Sequence, residues 1–447
     1  MRIFKNKQLS LKHRRDAAIH GIMCSTMLIH NISQLLTLTP APQRGSHLGD
    51  LGIIPDGAVR IVEGRITAVG TSAELLAAFP ADERLDAGGK VVLPGFVDPH
   101  THLLWAGDRA AEFEMRLQGK TYLEILQAGG GILSTVRATR AASVEALVEE
   151  NRPRLQRAFQ HGTTTIEVKT GYGLQTETEL RMLEAILRLD AELPIEIVPT
   201  FLGAHAIPPE WHDDPDGYTD HLCGEMLPAV ASWWTEYAQG RPLPFVDVFC
   251  ETGAFTLAQS RRILETAKSL GFPLKIHADE FDNLGGAALA AELGAASADH
   301  LVATSQADIE ALAASDTVAV GLPCTPFGLA EAHYTPAQSI LTANGLLALA
   351  TDCNPGTAWC ESMQFALALG CRYMKLTPAQ AIAASTINAA AAVGRADTLG
   401  SLHPGKQADL LILNASDYRH LGYRFGVNLV QTVVKRGQVY KQIRSHL

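Results

Sequence analysis

The sequence predicts an α/β fold, a (β/α)8 barrel of the TIM type with a small β-sandwich domain built from both termini. Eight short apolar segments alternate with helical patterns across about 300 residues, as such a barrel requires. Both ends of the chain are instead rich in short strands. The 447 residues accommodate one barrel of roughly 250 residues and an appended domain.

The barrel strands are predicted where short apolar runs end in polar residues. In chain order these runs are FVDPHTH, TTIEVKTG, IEIVPTFLGAH, FVDVFCE, PLKIHAD, SADHL, TVAVGLP and LLALATD. Capping boxes predict helix starts at Thr176, Thr256, Ser305 and Thr377. Pro153 should kink or divide the helix that precedes the second strand.

The small domain is predicted from residues 23–90 together with 400–447, and the barrel from residues 91–399. Two β-rich segments flank a tight turn in each terminal part, at Glu63-Gly64-Arg65 and at Arg436-Gly437. Because an isolated strand pair is unstable in water, we expect the two parts to form one domain. Residues 1–22 carry six Lys or Arg against one Asp and are predicted to be a disordered extension, so Met23 or Met27 could equally be the start.

The composition argues against several classes of protein. A net charge of -10 disfavours nucleic-acid binding, which requires a basic surface. No apolar run reaches the roughly 18 residues of a membrane span, and the N-terminal extension lacks the apolar segment of a secretory signal. Seven scattered cysteines without a CxxC pair are expected to be reduced thiols. We therefore expect a cytoplasmic protein that binds neither nucleic acid nor a membrane.

His100 and His102 form the pair from which the chemistry is predicted. On a strand their side chains and that of Asp98 point to the same face. With 16 histidines in the chain, such a pair often arises by chance. Its place at the end of an apolar strand favours a metal site, because two imidazoles in a fixed geometry suit a first-row metal.

Polar or titratable side chains close seven of the eight predicted strands. The C-terminal ends of barrel strands meet at one mouth, where the active sites of such barrels lie. One histidine near a strand end is usually structural, but eleven groups at one mouth predict an active site. These groups are His100, His102, Lys169, Tyr172, His205, Glu251, His277, Glu280, Asp299, His300 and Asp352.

The chain resembles the amidohydrolase superfamily from about Leu28 to Tyr440. The order of an HxH pair, two later histidines and a final aspartate is common to the superfamily. More specific stretches place the chain in a branch that opens imidazolone rings. The stretches that carry the resemblance are PGFVDPHTHLLWAGDR, LQGKTYLEILQAGGGI, EVKTGYGL, FLGAHAIP, KIHADEF, SADHL and TDCNPGT.

The resemblance implies that His100, His102, His277 and Asp352 hold one zinc or iron ion per chain, with no organic cofactor. Three neutral imidazoles and one carboxylate leave a divalent ion with net positive charge. Such an ion lowers the pKa of water and polarises a carbonyl group. Both metals tolerate this ligand set, and the spacing does not distinguish them.

The resemblance further implies hydrolysis of the cyclic amide in an imidazolone ring that bears a propionate tail, by a metal-activated water. Arg109 would bind the propionate carboxylate, for which a planar guanidinium is suited. Glu280 and His300 are expected to handle protons, and Asp352 could share the base role with Glu280. The expected substrate contacts are Arg109, Tyr172, His205, Glu280, Asn354, Gly356 and Thr357.

Other interpretations remain open. A related ring deaminase, of the guanine deaminase or chlorohydrolase kind, would share the fold and metal ligands but not the Arg109 and Tyr172 contacts. An inactive scaffold would have lost metal ligands. A carbamylated Lys169 or Glu251 could hold a second metal, although Lys169 lies on predicted strand two, and the superfamily's bridging lysine lies on strand four. The resemblance also leaves a homodimer open, and the sequence identifies no interface.

Overall fold

A computed structural model describes residues 26–120, 124 and 130–441. The predicted N-terminal extension therefore lies outside the described residues, as does part of the LQGKTYLEILQAGGGI stretch. The strands are β1 (Thr26–Leu36), β2 (Ile53–Val62), β3 (Arg65–Thr71), β4 (Glu83–Pro94), β5 (Phe96–Asp98), β6 (Thr163–Lys169), β7 (Glu196–Ala204), β8 (Phe245–Cys250), β9 (Lys275–Ala278), β10 (Ser297–His300), β11 (Val318–Gly321), β12 (Leu347–Leu349), β13 (Leu410–Leu413), β14 (Val430–Lys435) and β15 (Gln438–Lys441).

Strands β5 to β12 form one parallel sheet in sequence order, which confirms the predicted eight-stranded barrel. Just beyond β5 and β12, Thr101 pairs with Cys353 in parallel. The His102 N–H donates to the Cys353 carbonyl at 3.0 Å, and the Asp352 N–H donates to the His100 carbonyl at 3.1 Å. These bonds close the barrel between its first and last strands. The predicted metal ligands at both ends of the sheet therefore become neighbours.

Helices cover the outside of the barrel and pack on its strands. The longest ones between consecutive strands carry buried apolar residues at helical spacing, such as Leu183, Ile186 and Leu187. The α-helices are Ser72–Ala78, Ala110–Leu117, Ile132–Ala141, Val144–Gln160, Thr176–Glu192, Pro215–His221, Leu227–Tyr237, Leu257–Ser269, Gly286–Leu293, Gln306–Ala313, Cys324–Leu329, Ala337–Thr342, Met363–Tyr373, Pro378–Ala384, Ile387–Ala392 and His420–Tyr423, with 3-10 turns at Gly45–His47 and Pro209–Trp211 and a π-helical segment at Leu222–Met226.

The predicted helix starts are largely confirmed. Thr256 and Thr377 each form a complete capping box with the glutamine three residues later. Ser305 caps its helix by accepting a hydrogen bond from the backbone N–H three residues later. Each hydroxyl satisfies a backbone donor that the first helical turn leaves free.

The capping box predicted at Thr176 is wrong. The helix has Gln175 at its N-cap without a side-chain hydrogen bond. The buried Glu179 carboxylate instead accepts backbone N–H groups from Gly173 at 2.7 Å and Leu174 at 2.9 Å. Glu179 therefore fastens the loop after β6, which carries Tyr172, to the start of the next helix.

Pro153 was predicted to kink or divide its helix, and it does not divide it, since the helix Val144–Gln160 runs through the proline. Asn151 and Arg154, on either side of the proline, donate to the carbonyl of Trp105 at 3.1 and 2.9 Å. The Arg154 guanidinium also lies 3.6 Å from the centroid of the Trp105 ring. These tertiary contacts offset the one backbone hydrogen bond that the proline removes.

The second β domain is one seven-stranded sheet in the order β15-β14-β13-β4-β1-β2-β3, built from both termini as predicted. β1 and β4 pair in parallel, and the other neighbours are antiparallel. Both predicted hairpin turns are present, with positive φ at Glu63-Gly64 and at Arg436-Gly437. Buried side chains from both halves of the sheet, including Ile29 and Val434, share one apolar cluster. The two termini thus form one small domain around a shared apolar core, as predicted, and its strands belong to a single sheet.

Gly95 joins this domain to the barrel, because β4 passes through it directly into β5. Its N–H donates to the Asp409 carbonyl at 3.0 Å. A Cβ at Gly95 would lie 2.2 Å from the Thr164 hydroxyl oxygen, so a larger residue does not fit there. Within the part of the chain that the structure describes, no helix is long and apolar enough to cross a bilayer.

Candidate active site

The four predicted metal ligands meet at the C-terminal mouth of the barrel. The Nε2 atoms of His102 and His277 lie 3.1 Å apart. Oδ1 of Asp352 lies 3.5 Å from Nε2 of His100 and 3.6 Å from Nε2 of His102. All four residues are buried. Sequence positions more than 250 residues apart are thus brought to one point by closure of the barrel.

Three of the distances between donor atoms are close to those of a tetrahedral metal site. With zinc–nitrogen and zinc–oxygen bonds of about 2.0–2.1 Å, ligand atoms of a tetrahedron lie about 3.3 Å from one another. Nε2 of His100 and Oδ1 of Asp352 are buried without a hydrogen-bond partner. Buried polar atoms are normally satisfied, so this convergence of free lone pairs fits a cation.

Two aspartates orient the imidazoles. Asp299 Oδ2 lies 2.7 Å from Nδ1 of His100, and Asp247 Oδ2 lies 3.0 Å from Nδ1 of His277. A carboxylate at Nδ1 fixes the proton there and leaves Nε2 with a free lone pair, as a metal ligand needs. Burial and nearby positive charge hold the pKa of His100 well below its ordinary value, and burial does the same for His102. The neutral, ligating form of both rings is therefore favoured.

Lys169 belongs to a buried ion network. Its Nζ lies 2.7 Å from Asp247 and 2.8 Å from Glu167. Burial lowers the pKa of Lys169, but these two carboxylates outweigh burial and hold that pKa above its ordinary value. Carbamylation needs a neutral amine, and the raised pKa disfavours that form. Lys275 joins the network through Glu167 at 3.1 Å.

Glu251, the other candidate for a second metal, binds backbone groups instead. Its carboxylate accepts N–H groups from Phe281 at 2.9 Å, Asp282 at 3.1 Å and Thr252 at 2.8 Å. Both oxygens are engaged, and Glu251 is in none of the groups of described residues that could hold a metal. It fastens the loop after β9, which carries Glu280.

Glu280 and His300 lie together beside the ligand cluster. Oε2 of Glu280 is 3.7 Å from Nδ1 of His300, and the His300 ring lies 5.2 Å from that of His277 between centroids. Burial, together with the Asp352 and Glu251 carboxylates, raises the pKa of Glu280 well above its ordinary value. Burial lowers the pKa of His300. A buried carboxyl group whose pKa is raised is a candidate for proton transfer.

Tyr172 and His205 flank His102. The rings of His102 and His205 stack with centroids 4.7 Å apart, and Tyr172 lies 5.3 Å from His205. His205 Nδ1 lies 3.0 Å from the Gly171 carbonyl, which can only accept, so Nδ1 carries the proton. Burial and the neighbouring His277 lower the pKa of His205 to about 3. The neutral His205 therefore offers Nε2 as an acceptor.

Arg109 follows the first barrel strand and packs against the loop that follows the last one. Its Nε donates to Glu112 at 2.7 Å. A Cβ at Gly356 would lie 2.4 Å from its Nη1, so the guanidinium packs directly against this glycine. Arg116 donates to the Gly356 carbonyl at 2.8 Å. Two guanidinium groups beside one carboxylate leave net positive charge at this edge of the mouth.

Asn354 organises that loop from within. Its Oδ1 accepts the N–H groups of Gly356 and Thr357, both at 2.8 Å, and its Nδ2 donates to the Asp352 carbonyl at 2.7 Å. Nδ2 also donates to the Thr357 hydroxyl at 2.9 Å. With the amide fully engaged, Asn354 shapes the loop, and its predicted direct substrate contact remains untested.

Comparisons with known proteins agree with this geometry. The family described as "Amidohydrolase family" matches residues 91–440. The chain is 55% identical to the imidazolonepropionase of Herpetosiphon aurantiacus, over 94% of this chain and 98% of that protein. It is 51% identical to the imidazolonepropionase of Chloroflexus aggregans, over 92% and 98%.

The chain belongs to the amidohydrolase family, in its imidazolonepropionase branch. A shorter match, residues 57–81, is to the "Imidazolonepropionase-like composite domain, bacteria". The family match therefore spans every predicted site residue, and the composite-domain match falls in the small domain.

Solved structures of two deaminases share the fold. A Xanthomonas campestris adenosine deaminase with bound zinc superposes with a TM-score of 0.67 at 20% identity, over 93% of this chain and 92% of that one. Escherichia coli guanine deaminase gives 0.68 at 14% identity, over 94% and 100%. At these identities the likeness concerns architecture alone. The named relatives of high identity are imidazolonepropionases, which leaves the ring deaminase as the weaker alternative.

Sequence analysis missed several residues that shape the site of this amidohydrolase. Asp247 lies within β8 rather than at its end, and Lys275 begins β9. Both are charged residues inside otherwise apolar runs, a signal that can identify a buried ion network. Thr325 donates a hydrogen bond to Asp352, and no sequence signal distinguished it.

Proposed function

We propose that this chain hydrolyses the cyclic amide of 4-imidazolone-5-propanoate to N-formimidoyl-L-glutamate, the third step of histidine degradation. The observation that carries the proposal is that His100, His102, His277 and Asp352 lie buried beside one another at the barrel mouth, in a chain of the imidazolonepropionase branch. An inactive scaffold has no reason to keep four buried donors aimed at one point.

His100, His102, His277 and Asp352 would hold one ion of zinc or iron per chain, and no organic cofactor is involved. Such an ion supplies Lewis acidity, which lowers the pKa of water and polarises the amide carbonyl. The chain keeps the imidazoles neutral by burial and keeps Nε2 free through Asp299 and Asp247.

Glu280 would carry the proton. Water adds to the amide carbon, and its proton passes to the Glu280 carboxylate. The carbon–nitrogen bond then breaks, and Glu280 returns the proton to the departing ring nitrogen. The raised pKa of Glu280 supports this shuttle, because a group that both accepts and donates works best near the working pH. Asp352 is a second carboxylate that could share the base role.

His300 would orient water or stabilise the developing oxyanion. It lies between Glu280 and the ligand cluster, and burial keeps it neutral, with one N–H to donate. Its backbone φ of +81° is rare for a residue other than glycine. Strained conformations of this kind are held at sites where a side chain must point in one direction.

Substrate recognition would use both edges of the mouth. Tyr172 and His205, beside His102, would hold the imidazolone ring. Arg109 would pair with the propionate carboxylate, supported by the net positive charge at the Gly356 loop. Gly356 and Thr357 would contact the substrate from the same loop, with Asn354 shaping it.

The expected partner is the small-molecule substrate, without nucleic acid or membrane, in the cytoplasm. All six cysteines of the described residues are free thiols, which fits a reducing compartment. The resemblance leaves a homodimer open as the assembly.

The test is product analysis after incubation with freshly made 4-imidazolone-5-propanoate in water enriched in oxygen-18. Ring opening predicts N-formimidoyl-L-glutamate carrying one labelled oxygen, without release of ammonia. A ring deaminase would release ammonia from guanine or a related ring and leave the imidazolone intact. That second result would overturn the proposal.

A further inference from the structure

Barrel strand seven, β11, is the strand whose predicted end carries no titratable group, yet it does supply a residue to the site. The helix Cys324–Leu329 follows it and places Thr325, which is 2% exposed, against Asp352. The Thr325 hydroxyl donates a hydrogen bond to Oδ2 of Asp352. The direction is settled by chemistry, since a carboxylate can only accept.

This contact makes the two oxygens of Asp352 unequal. Oδ1 faces Nε2 of His100 at 3.5 Å and Nε2 of His102 at 3.6 Å, without a hydrogen-bond partner. Oδ2 is occupied by Thr325. A carboxylate free to rotate could present either oxygen, or both, to a cation. The hydroxyl therefore selects Oδ1 and one orientation.

We propose that Thr325 is a positioning residue that fixes Asp352 as a ligand through Oδ1 alone and withholds Oδ2. The inference rests on the metal site of the proposed function, because Asp352 matters here as a ligand. It concerns the donor set itself, so it does not depend on which ring the enzyme opens.

A second contact explains why Thr325 stays in place. Gly328, one turn later in the same helix, lies so close to the strand-eight loop that a Cβ there would be 1.8 Å from the Thr357 carbonyl oxygen. Asn354 ties that loop to the Asp352 carbonyl at 2.7 Å. The helix and the loop thus meet at two points, and Thr325 approaches Asp352 with its position already fixed.

The carboxylate of Glu280 is less restrained than that of Asp352. The structure gives no hydrogen bond to the Glu280 carboxylate from any described residue, and its Oε2 lies 3.7 Å from Nδ1 of the neutral His300. One carboxylate of the site is therefore restrained by a hydroxyl, and the other is left free. This is the arrangement expected when the first is a ligand and the second moves protons.

The experiment compares Thr325→Val, which keeps the shape and loses the hydroxyl, with Thr325→Ser, which keeps the hydroxyl. Zinc affinity of each purified metal-free full-length protein is measured by competition with a chromophoric chelator. Loss of a partner that orients a ligand typically costs about 10- to 100-fold in metal affinity. We expect Thr325→Val to lose about that much, and Thr325→Ser to remain within about threefold of the wild type.

Activity at saturating zinc is the second measurement. We expect Thr325→Val to lower kcat by about 10-fold or more with KM changed by less than about threefold, and serine to restore kcat. If the valine variant does not fold, Thr325→Ala, which also lacks the hydroxyl, replaces it, with the same loss of zinc affinity expected relative to Thr325→Ser.

Two results would overturn the proposal. One is wild-type zinc affinity and kcat in Thr325→Val. The other is equal losses in the valine and serine variants, which would mean that packing, not the hydroxyl, matters. If the wild type binds zinc but does not hydrolyse the imidazolone, only the proposed substrate fails, because the zinc-affinity comparison still reports on Thr325.

Discussion

Lys169 Nζ lies 2.7 Å from Asp247 Oδ2, and both side chains are fully buried. The same Asp247 oxygen lies 3.0 Å from Nδ1 of His277. Asp247 therefore connects Lys169 to the predicted metal ligand His277. The role of Lys169 is to balance the charge of the carboxylates that orient the imidazoles.

We therefore predict one tightly bound metal ion per chain. The described residues provide one complete ligand set, and the lysine amine and Glu251 are otherwise engaged. Elemental analysis of protein purified without added metal measures the number of metal ions per chain. Two equivalents per chain, or a carbamate on Lys169 in the intact mass, would show that the mononuclear assignment is wrong.

Glu251→Gln should disturb proton transfer rather than metal binding. The amide presents one acceptor where the carboxylate presents two, so part of the fastening of the Glu280 loop is lost. We expect kcat to fall about 10-fold with metal content unchanged. Glu265→Gln, at an exposed ion pair on the helix Leu257–Ser269, is the matched control and should leave kcat unchanged. Loss of metal in Glu251→Gln would make Glu251 a ligand.

Glu280→Gln should keep metal and substrate binding but lower kcat by about 10² to 10⁴, because an amide cannot carry the proton. Asp282→Asn, two residues later on the same loop, is the control. A collapse of metal content in Glu280→Gln would instead place Glu280 among the ligands or their supports.

The pH dependence follows from the direction of the Glu280 shift. Its pKa is raised by burial and by the Asp352 and Glu251 carboxylates, and the reaction needs its ionised form first. kcat/KM should therefore fall as pH decreases through a pKa above that of an ordinary glutamate. Glu280→Gln should abolish this acidic limb. A limb that persists in the variant would assign it to another group.

Arg109→Gln should show most of its defect in KM. The propionate carboxylate does not change charge during ring opening, so its partner stabilises ground and transition states about equally. Breaking a partly buried charge-assisted pair from one side costs about 2–5 kcal/mol, roughly 30-fold to several thousand-fold in kcat/KM. An imidazolone without the tail should react equally poorly with both enzymes. If the variant impairs this analogue as much as the full substrate, Arg109 does not bind the carboxylate.

Gly328→Ala should destabilise the protein, because the new Cβ would meet the Thr357 carbonyl oxygen at 1.8 Å and backbone must move. Overpacking of this kind typically costs about 1–3 kcal/mol. Gly224→Ala is the control, since a Cβ there has nothing within 4 Å and the position is helical. Thermal unfolding should show a lower Tm for the first variant and an unchanged or higher Tm for the second.

The sequence was informative where function depends on position along a strand. His100, His277 and Asp352 follow apolar runs, and parallel strands place such ends at one mouth. The turn at Glu63-Gly64 was predictable because two-residue hairpins need positive φ. These features can be recognised from short stretches of sequence, and the barrel fold then brings the strand ends together at one site.

The remaining features depend on contacts that a linear pattern does not encode. Asp299 reaches His100 across 199 positions, and Thr325 reaches Asp352 from a neighbouring strand's helix. Glu179 matched a helix-start pattern, yet its carboxylate binds the Tyr172 loop because burial left three backbone N–H groups to satisfy. Charge balance and hydrogen-bond satisfaction in the folded barrel decide such roles.

The most direct test of the account follows the ultraviolet absorbance of freshly made 4-imidazolone-5-propanoate with the purified chain. We predict loss of absorbance far faster than the spontaneous decay, abolished in Asp352→Asn and after removal of metal by a chelator, and restored by added zinc or iron. A decay at the spontaneous rate with metal-loaded wild-type protein would contradict the proposed function.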